Sequence, residues 1–354
     1  MAVTLSDVAK RARVSPRTVS NVVSGYPYVS PSTRKRVQKA LDDLGYQPNL
    51  SARSLRGGRS GVVTLAVPRL NPYFSELAYM VERAVTEAGY ILLVDQTEGL
   101  RERENRVVRG IRSQLIDGLI FAPFALAEST IAQIRSTTPL VLLGERVSHA
   151  AIDHVAIDNV AAAREAVSHL IRLGRRRIAA IGTFRPVSEE PARLRLAGYR
   201  AALREGGLPH KENLTMPVRA SERLEGLRGT RRLLAGGSHP DAIFAFNDVL
   251  AFGALRALFE AGLRVPDDVA VVGFDDVEEG QFSVPTLTTI SPDKQRIAES
   301  AVASLVERMN GKGETGARDT VVPHALIERE STLGFAARKA KRAGAFDGRE
   351  ARTT

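Results

Sequence analysis

The sequence predicts a small all-α head with a hinge helix, followed by an α/β core of two doubly wound parallel-sheet lobes. Three observations predict it. Positive charge is concentrated at the start of the chain, where residues 1–60 hold 11 Lys+Arg against 3 Asp+Glu, while residues 61–335 hold 33 against 35. Three short stretches with helix-capping residues and apolar faces crowd into the first 45 or so positions. After residue 61, apolar strand-like runs alternate with amphipathic stretches at helical spacing.

The 354 residues suffice for two or three domains with sizeable cores. Cysteine is absent, so neither a disulfide frame nor a thiolate metal site can form, which fits a reducing cytosol. The opening MAVTLSDVAK is charged and lacks an apolar h-region, so it does not read as a signal peptide. No apolar run approaches the length of a membrane span. A basic head on a near-neutral body is the balance of a nucleic-acid-binding module joined to a larger regulatory or catalytic domain, although a solvated basic surface gives it too.

In the head, Thr4 can cap a helix with Asp7 at its N3 position, and Leu5, Val8, Ala9 and Ala12 form its apolar stripe. A break at Arg13-Val14 follows. Ser15 then supplies a second N-cap hydroxyl and Pro16 suits N1, where its missing N–H costs nothing. Val19, Val22 and Val23 are the expected buried face of this helix and Gly25 its stop. A third helix is expected from Ser30-Pro31 through Val37, Ala40, Leu41 and Leu44 to Gly45.

Three short helices with a tight break between the first two match a helix-turn-helix module, whose second helix presents its N-terminal residues to the major groove. Pro16, Arg17 and Asn21 are the candidate base readers. Arg17, at N2, can pair bidentately with guanine or touch only phosphate; Asn21 can read adenine or bind phosphate. Ser15, Thr18 and Arg53 are candidate phosphate contacts. In QPNLSARSLRGGRSG, residues 47–61, Asn49 can cap a short helix with Ala52 and Leu55 on one face. Leu55, flanked by Arg53 and Arg56, suits either a minor-groove wedge or a leucine that covers the linker.

The core reads as two series. VVTLAVP, ILLVDQ, DGLIFAP and PLVLLGER are the strands of the first; RIAAIGT, DAIFAFND and VAVVGFDD belong to the second, with LAYMVERAVTEAGY, AAAREAVSHLIRLG and GYRAALREGG among the helices. Such runs are expected to be buried parallel strands. Ligands bind beyond the carboxyl ends of such strands. The residues there are Tyr73, Phe74, Arg146, Asn247, Asp248, Asp275 and Asp276. Planar hydrogen-bonding groups with aromatic faces suit a polyhydroxylated ligand. Asp248 and Asp276 follow the expected contacts and should point away, which makes them structural.

TLSDVAKRARVSPRTVSNVVSG and VSPSTRKRVQKALDDLGYQPNLSARSLRGG resemble the DNA-binding head and hinge of the lactose-repressor (LacI/GalR) family. The stretch from VTLAVP through DAIFAFNDVLAFGALRALFEAGLRVPDDVAVVGFDD to PTLTTI resembles that family's periplasmic-binding-protein-like effector core. The resemblance spans roughly residues 3–335. It implies that Leu55 is a wedge inserted with its dimer mate at the centre of a palindromic operator, with Ala52 against it. It places Pro16 and Arg17 at the base-reading positions and carries effector contacts onto Phe74, Arg195, Asn247 and Asp275. Two positions depart from the family. Arg13 stands where a glycine is frequent, at a cost of about 1–2 kcal/mol if its backbone is left-handed. Gly144-Glu145-Arg146 replaces an Asp-Arg pair, which keeps Arg146 as a candidate and leaves Glu145 open.

The expected organisation is a head over 1–47, a hinge over 48–60 and a core over 61–335. Its first lobe takes about 61–160 and 292–322, its second about 161–291 and 323–335. A basic tail, 336–354, holds 6 Lys+Arg against 2 Asp+Glu and no apolar heptads, so it should be disordered and a dimer is expected rather than a coiled-coil tetramer. The function expected is a cytoplasmic, nucleoid-associated, homodimeric repressor that releases or binds an operator in response to a small effector, a sugar by class. No cofactor, metal or catalytic residue is expected. A sugar- or nucleotide-modifying enzyme with an appended head is the rival. It lacks a phosphate loop, a G-x-G-x-x-G and an H-E-x-x-H motif, and His149 with His154 makes only a weak metal signal. A secreted sugar-binding protein would need a signal peptide and no such head.

Overall fold

The computed structural model describes residues 3–23, 26–46, 59–109, 115–126, 130, 138–144, 152–184, 190–311 and 316–335. The chain divides into two compact units, Met1–Gly61 and Val62–Thr354.

The first unit contains α1 (Leu5–Ala12), α2 (Pro16–Val23) and α3 (Pro31–Leu44). Thr4 Oγ1 accepts from the Asp7 N–H at 3.3 Å while the Thr4 N–H donates to Asp7 Oδ2 at 2.9 Å, a reciprocal cap on α1. Arg13 ends α1 in the left-handed region, φ 50° and ψ 51°, and Val14 N–H folds back onto the Ala9 carbonyl at 3.0 Å. Ser15 Oγ then accepts from the Thr18 N–H at 3.1 Å, which starts α2. Ser30 caps α3 and Gly45 closes it at φ 59°. Val8, Ala9, Ala12, Val19, Val22, Val37, Ala40 and Leu41 meet in one small core. One expectation needs correction, since Val23 packs only partly against that core. Thr18 is half-buried, and its hydroxyl stays with Ser15 Oγ at 2.9 Å. Gly25, Asn49, Ala52, Arg53, Leu55 and Arg56 lie outside the described residues, as does the tail.

The second unit holds two six-stranded sheets. The first begins with β1 (Val62–Val67), α4 (Pro72–Glu87), β2 (Ile91–Gln96), α5 (Arg101–Val108), β3 (Gly118–Phe121), β4 (Leu140–Leu143) and β5 (Asp153–Ile157). The chain then crosses into α6 (Asn159–Arg172), β6 (Ile178–Phe184), α7 (Glu190–Glu205), β7 (Thr215–Val218), α8 (Arg223–Ala235), β8 (Ala242–Ala245), α9 (Asp248–Glu260), β9 (Ala270–Phe274) and β10 (Thr288–Pro292). It returns through α10 (Lys294–Met309), which packs on α4, β3, β4 and β5, and ends with β11 (Asp319–Val322) and β12 (His324–Ile327). The sheet orders are β11-β5-β4-β3-β1-β2, all parallel, and β12-β10-β9-β8-β6-β7, parallel except for β12. In each, the connections reverse direction beside the first strand of the lobe, β1 or β6, and this reversal opens a crevice at the strands' carboxyl ends.

β1, β3, β4, β8 and β9 are buried along their whole length. β2 is the exception to the expected buried strands. It is an edge, and Ile91, Leu93 and Val94 are each about half exposed. The first series also runs one strand past PLVLLGER, into β5. Its first residue, Asp153, is buried between Arg308, whose Nε lies at 3.0 Å, and the Arg318 N–H at 2.9 Å. Burial alone would raise this carboxyl, but the hydrogen bonds from Arg308, Ser304 and Arg318 outweigh it and hold the group well below the usual carboxylate range.

Candidate functional site

In the head, the capped start of α2 leaves a polar ledge. Ser15, Pro16 and Arg17 are exposed, Val19 one position past Thr18 is fully buried, and Asn21 is half-buried one turn later. The ledge is rigid at its root for a local reason. Pro16 fixes the first backbone torsion, and the Ser15 hydroxyl satisfies an amide that would otherwise be orphaned. Ser15 Oγ and Thr18 Oγ1 share one hydrogen bond, so one of their two hydroxyl protons is free to donate elsewhere. The sequence reading missed Tyr26 and Tyr28, an exposed edge-to-face pair 5.5 Å apart after α2.

In the core, the carboxyl ends of both sheets line one cavity of about 410 Å³. The first lobe contributes Tyr73, Phe74 and Phe124; the second contributes Arg195, Asn247 and Asp275. Each is placed by its element. Asn71 caps α4 by accepting from the Phe74 N–H at 2.9 Å, which fixes Tyr73 and Phe74 in its first turn with their rings edge to face at 5.1 Å. Asn247 caps α9 through Oδ1, 2.8 Å from the Leu250 N–H, and its amide nitrogen makes no hydrogen bond among the described residues. One half of that amide is therefore structural and the other half can donate into the cavity.

Arg195, on α7, is the organising cation. Its Nε donates to Asn159 Oδ1 at 2.6 Å, its Nη1 to the Phe246 carbonyl, and its guanidinium lies 3.6 Å above the centre of the Phe274 ring. Nη2 reaches Asp275 Oδ1 at 3.7 Å, with both side chains largely buried. Phe246 crosses Gly182, where a Cβ would sit 2.4 Å from the Cβ of Phe246, so only glycine permits this ring to border the cavity.

Asp275 and Asp276 have φ of 109° and 48°, two successive non-glycine residues with positive φ. Each such residue costs on the order of 1–3 kcal/mol and persists only where its surroundings over-determine it. Asp276 pairs with the buried Arg329 at 2.6 Å. Asp248, fully buried, accepts from the Val277 N–H at 2.9 Å and the Thr289 hydroxyl at 2.6 Å. Burial drives the Asp248 carboxyl well above the ordinary carboxylate range, and the nearby Asp275 adds to the rise, against the opposing hydrogen bonds from Thr289 and Val277. Its close approach requires Gly273, where a Cβ would meet Oδ1 of Asp248 at 2.1 Å. Neither Asp248 nor Asp276 lines the cavity.

Phe124, Asn159, Phe246 and Phe274 were not singled out from the sequence. Phe124 sits in a turn gathered by the wholly buried Glu104, whose carboxylate accepts from the N–H groups of Phe124 at 2.8 Å and Leu126 at 2.8 Å. At the rim, Arg69 of the first lobe pairs with Glu222 of the second at 2.6 Å. Glu145, Arg146 and His149 lie outside the described residues. His154 Nε2 bonds the Gly144 carbonyl and its Nδ1 lies 3.3 Å from Asp319, so both ring nitrogens have protein partners. Among the described residues no group of three or more His, Asp or Glu could hold a metal, and no helix is long and apolar enough to cross a membrane.

A helix-turn-helix head with an exposed arginine, joined in one chain to a two-lobed cleft of planar polar groups, defines a ligand-sensing DNA-binding regulator. Comparison with known proteins narrows the class. Residues 4–49 match the lacI family of bacterial regulatory proteins, and residues 167–332 match a periplasmic binding protein-like domain. The chain is 35% identical over 333 residues to the ribose operon repressor of Escherichia coli (strain K12), covering 93% of this chain and 99% of the relative. Among solved structures it is similar to the lac repressor dimer bound to operator and the anti-inducer ONPF, with a TM-score of 0.80, 30% identity and coverage of 94% and 100% of the two chains. It is also similar to a complex of the transcriptional regulator CelR with cellobiose, with a TM-score of 0.70, 30% identity and coverage of 93% and 99%. The chain belongs to the lacI family of bacterial regulatory proteins.

Proposed function

We propose that the chain is a homodimeric repressor whose affinity for a pseudo-palindromic operator is set by a sugar held in the cleft between its lobes. The observation that carries this reading is the pairing of the pre-capped Arg17 ledge with a cavity whose contacts come from both lobes. Pro16, Arg17 and Asn21 read bases, and the spare proton of the Ser15–Thr18 pair meets a phosphate. The hinge roles of Ala52, Leu55 and Arg56, and the phosphate role of Arg53, rest on the resemblance of QPNLSARSLRGG to the family's hinge.

A sugar fits because Phe74, Tyr73 and Phe124 offer apolar faces while Arg195, Asn247 and Asp275 offer planar hydrogen-bonding groups, with Arg146 as a further candidate. The relatives named for a ribose operon and for cellobiose support the same class. A ligand that touches both lobes binds one arrangement of them more tightly than another, and that difference in affinity is the signal passed to the operator. Dimerisation is supported by the dimeric lac repressor among the neighbours and by apolar side chains left in solvent, Phe259, Phe282 and Val284 on the second lobe and Ile91 and Leu93 on the edge of the first.

The domain plan is a head over 1–47, a hinge over 48–60, a core over 61–335 and a basic tail that adds non-specific DNA affinity. An operator on the chromosome puts the work in the cytoplasm, at the nucleoid. No reaction is assigned to the cleft: Asp275 is paired with Arg195, and the neighbouring Asp248 is buried against Val277 and Thr289 outside the cavity lining. The test is selection of genomic fragments on the full chain. A recurring sequence with two-fold symmetry is expected; enrichment without any common sequence would defeat the reading.

A further inference from the structure

The strained turn after β9 is held in part from the opposite lobe. Within its own lobe, the Asp275 N–H donates to the Ile290 carbonyl at 2.8 Å, the Val277 N–H to Asp248, and Arg329 grips Asp276. The Asp276 N–H also donates to Thr289 Oγ1 at 3.4 Å and Arg195 pairs with Asp275, and two further contacts come from elsewhere. Glu76, on α4 of the first lobe, accepts from the Glu278 N–H through Oε1 at 2.8 Å. Its other oxygen pairs with Lys294, which also donates to the Asp276 carbonyl at 2.8 Å. Lys294 is the first residue of α10, at the point where the chain leaves the second sheet for the first lobe. Its side chain is only 8% exposed against 26% for Glu76.

We infer that Glu76 and Lys294 are positioning residues for the ligand site: they brace the Asp275–Asp276 turn from the first lobe, so the aim of the Asp275 carboxylate and the closure of the cleft are one event. This rests on the reading of the cleft given above. Lys294 sits at the crossover, where it stays with both lobes, while Glu76 rides on α4 one helical turn from Tyr73. The Lys294 ammonium is also 6.0 Å from the Tyr73 ring. A ligand that bridges Tyr73 or Phe74 and Asp275 therefore draws together the same two elements that Glu76 joins. When the lobes part, Glu76 withdraws, the Glu278 N–H and the Lys294 ammonium lose their carboxylate, and a backbone that only its surroundings maintain loses one of its braces. Ligand binding and turn order reinforce each other through this pair.

The test uses the full chain with Glu76→Ala, Lys294→Met and Lys294→Arg. Without ligand, amide hydrogen exchange over residues 276–281 should rise about ten-fold in the first two variants, with α8 and α9 unchanged. Lys294→Arg, which can still reach Glu76 and the Asp276 carbonyl, should keep the wild-type pattern. Wild-type exchange in both disrupted variants, or a rise spread over the whole second lobe, would overturn the inference. With whichever of ribose and cellobiose raises the wild-type thermal midpoint, Glu76→Ala should weaken binding by about five-fold or more. Asp275→Ala separates the two readings. If it leaves sugar binding intact, the cleft assignment fails. If it abolishes binding and Glu76→Ala does not weaken it, the cleft stands and the positioning role falls.

Discussion

Arg13 and the Asp275–Asp276 pair are non-glycine residues in backbone that favours glycine, and their turns are held by opposite means. Arg13, at φ 50° between α1 and α2, is fixed by neighbours in sequence: Ala9 and Lys10 take its N–H and that of Val14, and its side chain points to solvent. The Asp275–Asp276 turn is fixed by Asp248, through the Val277 N–H, and by Thr289, Ile290, Lys294 and Arg329, each at least 13 positions from the residue it holds. A turn held locally tolerates its residue at a small cost. A turn held from afar needs that residue's side chain, because other buried groups depend on it.

The same replacement should therefore have opposite signs at the two turns. Asp276→Gly relieves the backbone but leaves Arg329 buried without its carboxylate, and the loss of a buried partner costs about 3–5 kcal/mol. Urea unfolding of the full chain should show a destabilisation of that order, and a neutral or stabilised variant would break the comparison. Next in size, Arg195→Ala removes the group joining Asn159, Phe246, Phe274 and Asp275, and should weaken effector binding by about 2–5 kcal/mol while sparing operator affinity in the absence of effector. Titration calorimetry reads the first effect and fluorescence anisotropy the second.

In the head, Arg17→Ala should cost about 1–3 kcal/mol on the selected operator and relax one base-pair position. A loss uniform over all sequences would make Arg17 a phosphate contact instead. The smallest effect is Arg13→Gly, which should stabilise the head by about 0.5–1 kcal/mol, the left-handed penalty less the entropy glycine loses on folding. Slower amide exchange in α1 and α2 would show it.

The contrast also explains what could be read from the sequence. The three head helices were legible because their signals lie within four residues of each other: Thr4 with Asp7, Ser15 with Pro16, Ser30 with Pro31. The buried strands were legible as uninterrupted apolar runs. β2 misled because an edge strand carries the same residues as a central one and only sheet order distinguishes them. β5 was passed over because Asp153 and His154 interrupt its apolar run, and Asn159, which follows it, was lost with it.

Among the residues that line the cleft, the rule that ligands sit beyond strand ends points to Phe74, Asn247 and Asp275, since each directly or nearly follows a recognisable strand. It could not find Phe124, whose turn is gathered by Glu104 from another element, nor the brace of Glu76 and Lys294. Those depend on contacts across 20 to 218 positions, for which no local pattern exists.

The proposed coupling joins a sequence-reading head to a sugar-sensing cleft in one chain. It is tested most directly by anisotropy of the selected operator with the full chain, titrated with a panel of sugars, for wild type and Asp275→Ala. One sugar should change the wild-type operator affinity, and Asp275→Ala should bind the operator equally well but no longer respond. An operator affinity indifferent to every sugar, or an Asp275→Ala protein that responds as wild type does, would contradict it.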